Sequence, residues 1–396
     1  MKQDADWSQA RTIAFELGLR VGSNFENEFV ALTEADCRVL ARDHLALLAL
    51  PSFDNSAMDG WAVRGSGPWR ITRQVVAGEF PDWELEVNEG CSIATGAPVP
   101  AGTEFIVRSE HASLEIQTSG ERILTATQAP KRDIRRAGEE CTVGETIAVL
   151  GTRLNPSVIG ILAATGHDVV EVRRQPRVCV LVFGDELELE GIPAPGKIRD
   201  SLGPQLPGWL NRMGAQVISI TRCKDVMSEV MSTISNLDAD VIITTGGTAS
   251  GPRDFLRAVI SELNGEILVD GVHVRPGHPM MLALANTNSA QNIPVIGLPG
   301  NPLSAIVGLL TFAQPLLNSM LGLAAPDLET LVSRSEIHGD DGTRLVAGIS
   351  RSGEFHVSEF NGSAMLRGLS VSTGFAVTTH AVNNGDPIFY LPLPQN

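Results

Sequence analysis

From Val178 onward the chain repeats one pattern, a short and nearly continuous apolar run followed by an amphipathic stretch. The runs are Val178 to Phe183, Val217 to Thr221, Asp240 to Thr245 and Pro294 to Leu298. Helical periodicity separates them near Pro207 to Met213, at Asp225 to Leu237 and at Asp254 to Leu263, and a long helix follows from Leu303. A strand apolar on both faces needs cover on both, and parallel strands need crossover helices to join them. The pattern predicts a doubly wound α/β domain built on an open parallel sheet.

The rest of the chain reads differently. From Pro51 to about Ala129, runs such as Trp69 to Val76 and Glu104 to Val107 are short and broken by Gly and Pro, which predicts a mainly β domain. Ahead of it, Cys37, Leu40, Ala41, Leu45 and Leu48 recur at helical spacing behind Thr33 and Asp36, placed like a capping box. That spacing predicts a helix stopped by Pro51. Arg135 to Arg173 is mixed, with a helix expected from Pro156 to Thr165, since proline suits the first turn and Gly166 the exit. The charged stretch Val170 to Arg177 marks a domain junction. After Ala325 short alternating segments predict a C-terminal β module. With 396 residues, the expected division is a mixed α/β linking domain over 1–45 and 131–173, a mainly β domain over 46–130, the α/β domain over 174–325, and the β domain over 326–396.

Charge and composition narrow the partners. A formal net charge of -16 repels nucleic acid and anionic membrane surfaces, so neither is expected as a partner. The apolar stretches Val178 to Phe183 and Ile306 to Ala313 fall short of the roughly 20 residues a membrane helix needs. The segment Met1 to Trp7 has neither a basic start nor a cleavage site, and a cytoplasmic protein is expected. Five separated cysteines (Cys37, Cys91, Cys141, Cys179, Cys223) have no zinc or redox spacing and read as reduced thiols, Cys179 in the core.

Ligands of an open α/β sheet sit beyond the carboxyl ends of its strands. Asp185 and Glu186 follow the first run, and Thr244 to Gly251 follows the third, just before a helix. In this second loop Gly246 and Gly247 permit close backbone approach, Thr248 and Ser250 offer hydroxyls, and the next helix presents its N-terminus to an anion. The loop matches no Walker or dinucleotide pattern. Asp254 stands at the helix start, where capping is the competing role. Two stiff turns also lie at strand ends, Arg275 to Pro279, whose Arg275 and His278 suit an oxyanion, and Gly297 to Ser304. Earlier, Asp54 to Ala62 holds two acids in six residues, a hard-oxygen pattern that suits magnesium and equally an Asx turn. Thr95 to Pro100 and Asp133 to Glu140 read as turns and solvated loops.

Taken in order, Asp54 to Ala62, Thr95 to Pro100, Asn155 to Glu186, Thr244 to Asp254 and Gly297 to Ser304 resemble the molybdopterin molybdenumtransferase family, which includes bacterial MoeA proteins and the E domain of gephyrin. The resemblance runs from about Thr33 to Leu391. It implies four domains, with a β-barrel-like C-terminal module and the linking domain serving dimerisation, and it implies a homodimer. The implied reaction joins molybdate to adenylylated molybdopterin, with Mg2+, to give molybdenum cofactor and AMP. By the same resemblance Asp59, Thr95, Glu186 and Asp254 act in the reaction, and Glu186, Asp225 and Asp254 hold magnesium. Asp185, Ser201, Gly246, Gly247, Thr248, Ser250, Arg275, His278, Pro299, Asn301 and Ser304 contact pterin, phosphate or molybdate. A molybdopterin adenylyltransferase and molybdoenzyme chaperones are the implied protein partners.

This chain departs from the family pattern at several points. Gly138-Glu139-Glu140 stands for Gly-Glu-Asp, and Arg275-Pro276-Gly277-His278-Pro279 for Lys-Pro-Gly-Lys-Pro. Ala249 takes the place of a serine, Asp200-Ser201-Leu202 of Asp-Ser-Asn, and an arginine expected near Ala347 is replaced. With Leu202 and the prolines after it, the next helix is expected to start late. A paralogue that carries or senses the cofactor without inserting metal is the alternative.

Overall fold

The computed structural model describes residues 2–23, 25–248 and 255–394. The chain forms two compact units. One comprises Met1–Phe29, Cys37–Ala41 and Glu171–Asn396, the other Val30–Asp36 and Arg42–Val170.

The first unit opens with β1 (Lys2–Asp6) and α1 (Trp7–Gly22). Its α/β part continues with β2 (Arg177–Phe183), α2 (Leu206–Arg212), β3 (Gln216–Cys223), α3 (Met227–Ser235), β4 (Val241–Thr245), α4 (Leu256–Glu262), β5 (Glu266–Arg275), β6 (Met281–Ala285) and β7 (Ile293–Leu298). The helical stretch Pro302–Met320 then runs as α5 (Pro302–Gly308), a π-helical turn (Leu309–Ala313) and α6 (Gln314–Met320). The sheet order is β3-β2-β4-β7-β6-β5, with β1 paired to β5.

Alternation along β2 explains the double cover. Val178, Val180 and Val182 join the cluster that holds α2, α5 and α6, whereas Leu181 and Phe183 join Val230, Ile234, Val259 and Ile260 of α3 and α4. The four runs read from the sequence pair in parallel as expected, and the sheet adds β6, which is antiparallel to both β5 and β7. The links on either side of β6 are too short to hold a crossover helix, so the chain turns back on itself instead.

The stretch Pro302–Met320 is as long and apolar as a membrane span, with a mean hydropathy of 1.4, but 89% of it is buried inside the fold. It is the central helix of the core. On it packs α1, an element the sequence pattern missed. Its buried face has a stripe of small residues, Ala10, Ala14 and Gly18, and a Cβ on Gly18 would lie 2.0 Å from Ser319 Oγ. Close approach of backbones along this small stripe, with Trp7 and Leu17 buried beside it, seats this helix.

The C-terminal strands are β8 (Glu329–Ser333), β9 (Thr343–Arg351), β10 (Glu354–Val357), β11 (Gly374–Thr378) and β12 (Pro387–Pro392). They pair in the order β9-β10-β8-β12-β11, and β11 pairs again with β9, so the barrel closes. Closure leaves no edges unpaired within the ring. The end of β5 runs parallel to the start of β9, with Val274 opposite Thr343 and Arg275 opposite Arg344.

The second unit is mainly β. Its six-stranded sheet has the order Phe105–Arg108, Gly60–Val63, Glu89–Ile93, Trp69–Val75, Arg122–Ala126, Ala112–Ile116. The helix Pro156–Ala164 forms as expected, capped by Asn155, whose Oδ1 accepts from Val158 N at 3.0 Å. The helix expected across Cys37 to Leu48 does not form. Leu32–Glu34 is a single 3-10 turn, and Cys37 sits at a φ of 63. The backbone N-H groups of Ala46, Leu47 and Leu48 bond to carbonyls of Glu145 and Thr165. Leu40 is buried while Leu45 and Leu48 are about half exposed, so the helical spacing marked no continuous buried face.

Candidate functional site

The loops that leave β2, β4 and β7 meet at one end of the sheet and enclose a cavity of about 620 Å3. Its walls include Phe183, Glu186, Arg199, Ser201, Gly246, Gly247, Thr248, Pro299 and Asn301. Six of the residues picked from the sequence are therefore brought together with Glu186. Gly246 and Gly247 have φ of 91 and 73, values that favour glycine. A Cβ on Gly247 would lie 3.0 Å from Phe183 Cδ2. The glycines thus keep backbone at the cavity wall where a side chain would crowd it. Thr248 is buried.

Opposite this loop, Asp225 Oδ2 accepts from the Asp185 N-H at 3.3 Å, and Lys197 Nζ donates to the Asp185 carbonyl at 2.7 Å. The Glu186 carbonyl accepts from Ile198 N at 3.0 Å. Asp185 and Asp225 are thus bonded to each other, and Glu186, next in the chain, is the one that lines the cavity. Among the described residues no three His, Cys, Asp or Glu side chains gather as a closed metal cage. Ser250 and Asp254 lie outside the described residues.

Asp200 shapes the next wall. Its Oδ1 accepts from Leu202 N at 2.9 Å and from Gly203 N at 3.0 Å, an Asx turn that leaves Ser201 at the cavity. Leu202 joins the hydrophobic core and also lines the cavity, and α2 begins only at Leu206. The late start expected from the sequence is what forms.

A second cavity of about 440 Å3 shares Pro279, Pro299 and Asn301 with the first. Arg275, His278, Ser304, Arg344, Asn361 and Ser363 line it as well. Arg275 Nη1 lies 2.9 Å from Asp340 Oδ2, and His278 Nε2 lies 2.8 Å from Asp4 Oδ1. The Ser363 carbonyl accepts from Leu303 N at 3.0 Å and Ser304 N at 3.3 Å, capping the short helix α5. Ala347 is fully buried in the core, while Arg344, three residues earlier, reaches this cavity. Arg344 and Ser363 come from the barrel, and no local motif announces them. Arg199 was missed too, although its place beside Asp200 and Ser201 could have raised it.

In the second unit Asp59 and Thr95 meet. Asp59 Oδ1 accepts from the Thr95 N-H at 2.7 Å. That bond, with a second from the Thr95 side chain, holds the Asp59 carboxyl below its ordinary range. The neighbouring acids are structural. Asp54 Oδ1 accepts from Ala137 N at 2.8 Å and Oδ2 pairs with Arg136. Partial burial raises the Asp54 carboxyl, and these two partners outweigh it. Asp133 takes Arg108 in a fork at 2.7 and 3.0 Å, which lowers its carboxyl against burial.

Two family models match this chain, the MoeA N-terminal region (domain I and II) over residues 6–166 and the probable molybdopterin binding domain over residues 179–319. A molybdopterin molybdenumtransferase from Nostoc sp. is 32% identical over 345 residues, covering 83% of this chain and 78% of that protein. The chain belongs to the molybdopterin molybdenumtransferase family. Molybdopterin molybdenumtransferase 2 of Mycobacterium tuberculosis is 33% identical over 315 residues, covering 75% of this chain and 76% of its own. A solved structure of the molybdopterin biosynthesis MoeA protein from Pyrococcus horikoshii has the same fold. It aligns with a TM-score of 0.72 over 98% of this chain and 100% of its own, at 21% identity. Against the family pattern, Leu202 packs into the core while still lining the first cavity, and the cationic loop keeps Arg275 and His278 at a cavity wall.

Proposed function

We infer that this chain is a molybdopterin molybdenumtransferase, joining molybdate to adenylylated molybdopterin and releasing AMP. One observation carries the reading beyond family membership. A glycine and hydroxyl cavity with Glu186 at its wall shares Pro279, Pro299 and Asn301 with a cationic cavity. The first suits a phosphorylated pterin, since glycine backbone and hydroxyls can approach phosphate closely. The second suits an oxyanion, since guanidinium groups pair with tetrahedral oxygens in a fixed fork. Metal donor and acceptor would thus be held side by side, which favours reaction through proximity.

The carboxylates fit magnesium by chemistry. Glu186 offers a hard oxygen donor at the cavity wall, Asp225 offers another where it accepts from the Asp185 N-H, and magnesium takes few carboxylates, completing its shell with water and substrate phosphate. Glu186, Asp225 and Asp254 would hold it, and when bound it would neutralise charge on the pyrophosphate. In the second unit Asp59, kept ionised by Thr95, acts as a fixed negative group or hydrogen-bond acceptor rather than an acid.

We also propose a cytoplasmic homodimer. The exposed side chains of Val143, Val149, Leu150 and Val169 support a self-contact by the linking segments, within the four-domain division 1–45 with 131–173, 46–130, 174–325 and 326–396. Light scattering on the purified chain reads the dimer directly.

The test of the transferase is AMP release from adenylylated molybdopterin with molybdate and Mg2+. Release that depends on both is expected. Tight pterin binding with no release would instead select the carrier alternative.

A further inference from the structure

The cationic cavity holds more charge than the loop Arg275 to Pro279 supplies, and part of that charge is answered from within the chain. Arg275 and Arg344 are register partners where β5 runs parallel to β9. Residues so paired leave neighbouring strands on the same side, and like charges placed there repel. Asp340, in the segment leading into β9, sits 2.9 Å from Arg275 Nη1 with its side chain 23% exposed. Arg344 Nη1 donates to the His338 carbonyl at 3.0 Å, a partner in the same segment that carries no net charge.

A matching arrangement lies at His278. Its Nε2 is 2.8 Å from Asp4 Oδ1. Pairing of β1 with β5 runs Gln3 to Asp270 and then Ala5 to Val272, so Asp4 and Gly271 are left facing each other. Both have left-handed φ, 48 and 82. Asp4 is thus held in a conformation that L residues seldom adopt, with its carboxylate on the cavity histidine.

We propose that Arg344 is an oxyanion ligand of this cavity and that Asp340 is its internal competitor. This rests on the transferase reading and names residues for its molybdate side. A tetrahedral dianion entering between the two guanidinium groups takes the place of the Asp340 carboxylate on Arg275. Two arginines on adjacent strands offer paired N-H donors to such an anion. The aspartate keeps the pair tolerable when the cavity holds no anion, and it subtracts from the apparent affinity by the fraction of time it occupies Arg275. Arg344 does from the start of β9 what an arginine at the buried position 347 could not do without leaving the core.

The experiment is calorimetric titration of sodium molybdate into the full chain, as wild type, R344M, R344K and D340N, with thermal melts on each. R344M should weaken binding tenfold or more and R344K less, since the charge survives without the fork. D340N should tighten it severalfold. R344M binding within twofold of wild type, D340N binding no tighter, or a wild type that takes up no molybdate each overturn the proposal. Should R344M fail to fold, R344K and D340N still decide it. AMP release is read separately. A chain that binds molybdate in the expected order yet releases no AMP overturns the transferase and leaves the seat standing, whereas normal AMP release with indifferent R344M does the reverse.

Discussion

Gly297 of β7 and Thr248 of the loop after β4 are packed so that a Cβ on Gly297 would lie 2.6 Å from Thr248 Cγ2 and 2.9 Å from Leu256 Cδ2. Thr248 is buried at the cavity wall, so it has little room to yield. Gly297→Ala should therefore press on the pterin side of the site from behind. Overpacking of this kind costs about 1–3 kcal/mol. The expected outcome is a lower thermal midpoint and weaker binding of adenylylated molybdopterin. Molybdate binding, measured apart, should change little, because Gly297 lines neither cavity. Unaltered pterin affinity in a folded variant would remove Thr248 from the site.

Glu186→Gln keeps shape and removes charge. Glu186 lines the cavity, so the variant should fold as wild type while losing AMP release by something on the order of 10²-fold, the scale of loss when one group that stabilises transition-state charge is removed. More Mg2+ should be needed for half-maximal rate, and chelation should abolish release in both proteins. A magnesium titration of AMP release distinguishes this from a defect in pterin binding. An unchanged magnesium requirement would place the metal elsewhere.

Much of this was legible in the chain, for reasons that differ by element. The apolar runs of β2, β4 and β7 are buried on both faces, so they show as unbroken hydrophobic stretches, and the loops after them follow at once. The hairpin β5-β6 was missed because Met281–Ala285 and Glu266–Arg275 carry no helix between them to break the pattern. Arg344 escaped because its place at the cavity depends on β9 pairing with β5 across some 70 residues of sequence. The false helix at Cys37 to Leu48 failed for the opposite reason. Its spacing was local, and its backbone groups found partners in distant segments instead.

The second unit should be acid-labile in a defined window. Asp133 is held below its ordinary carboxyl range by the Arg108 fork, and Asp59 by Thr95. A depressed folded pKa adds stability that is present above the unfolded value, about 3.9 for Asp, and that is lost as pH falls through the folded value. Stability should hold level from neutral pH to about 4 and decline below. Asp133→Asn should lower the urea midpoint at pH 7 and flatten the decline below pH 4. Urea midpoints measured at several pH values for both proteins check this, and parallel curves for the two would contradict it.

The docking of α1 includes a buried side-chain hydrogen bond, beside the Arg11 guanidinium that donates to the Leu310 and Pro326 carbonyls. Trp7 Nε1 donates to Thr311 Oγ1 at 2.9 Å, and that hydroxyl donates to the Val307 carbonyl at 2.7 Å. Thr311 belongs to the π-helical turn Leu309–Ala313, at a point where α1 packs on the central helix. Thr311→Val keeps the volume and strands the indole N-H in the core, which should cost about 1–3 kcal/mol. Thr311→Ser should cost less, because the hydroxyl survives. If the hydrogen bond is what matters, Thr311→Val combined with Trp7→Phe should be less destabilised than the sum of the two single changes, since the second removes the donor that the first leaves unpaired. Strict additivity in denaturant midpoints would mean that shape alone seats α1.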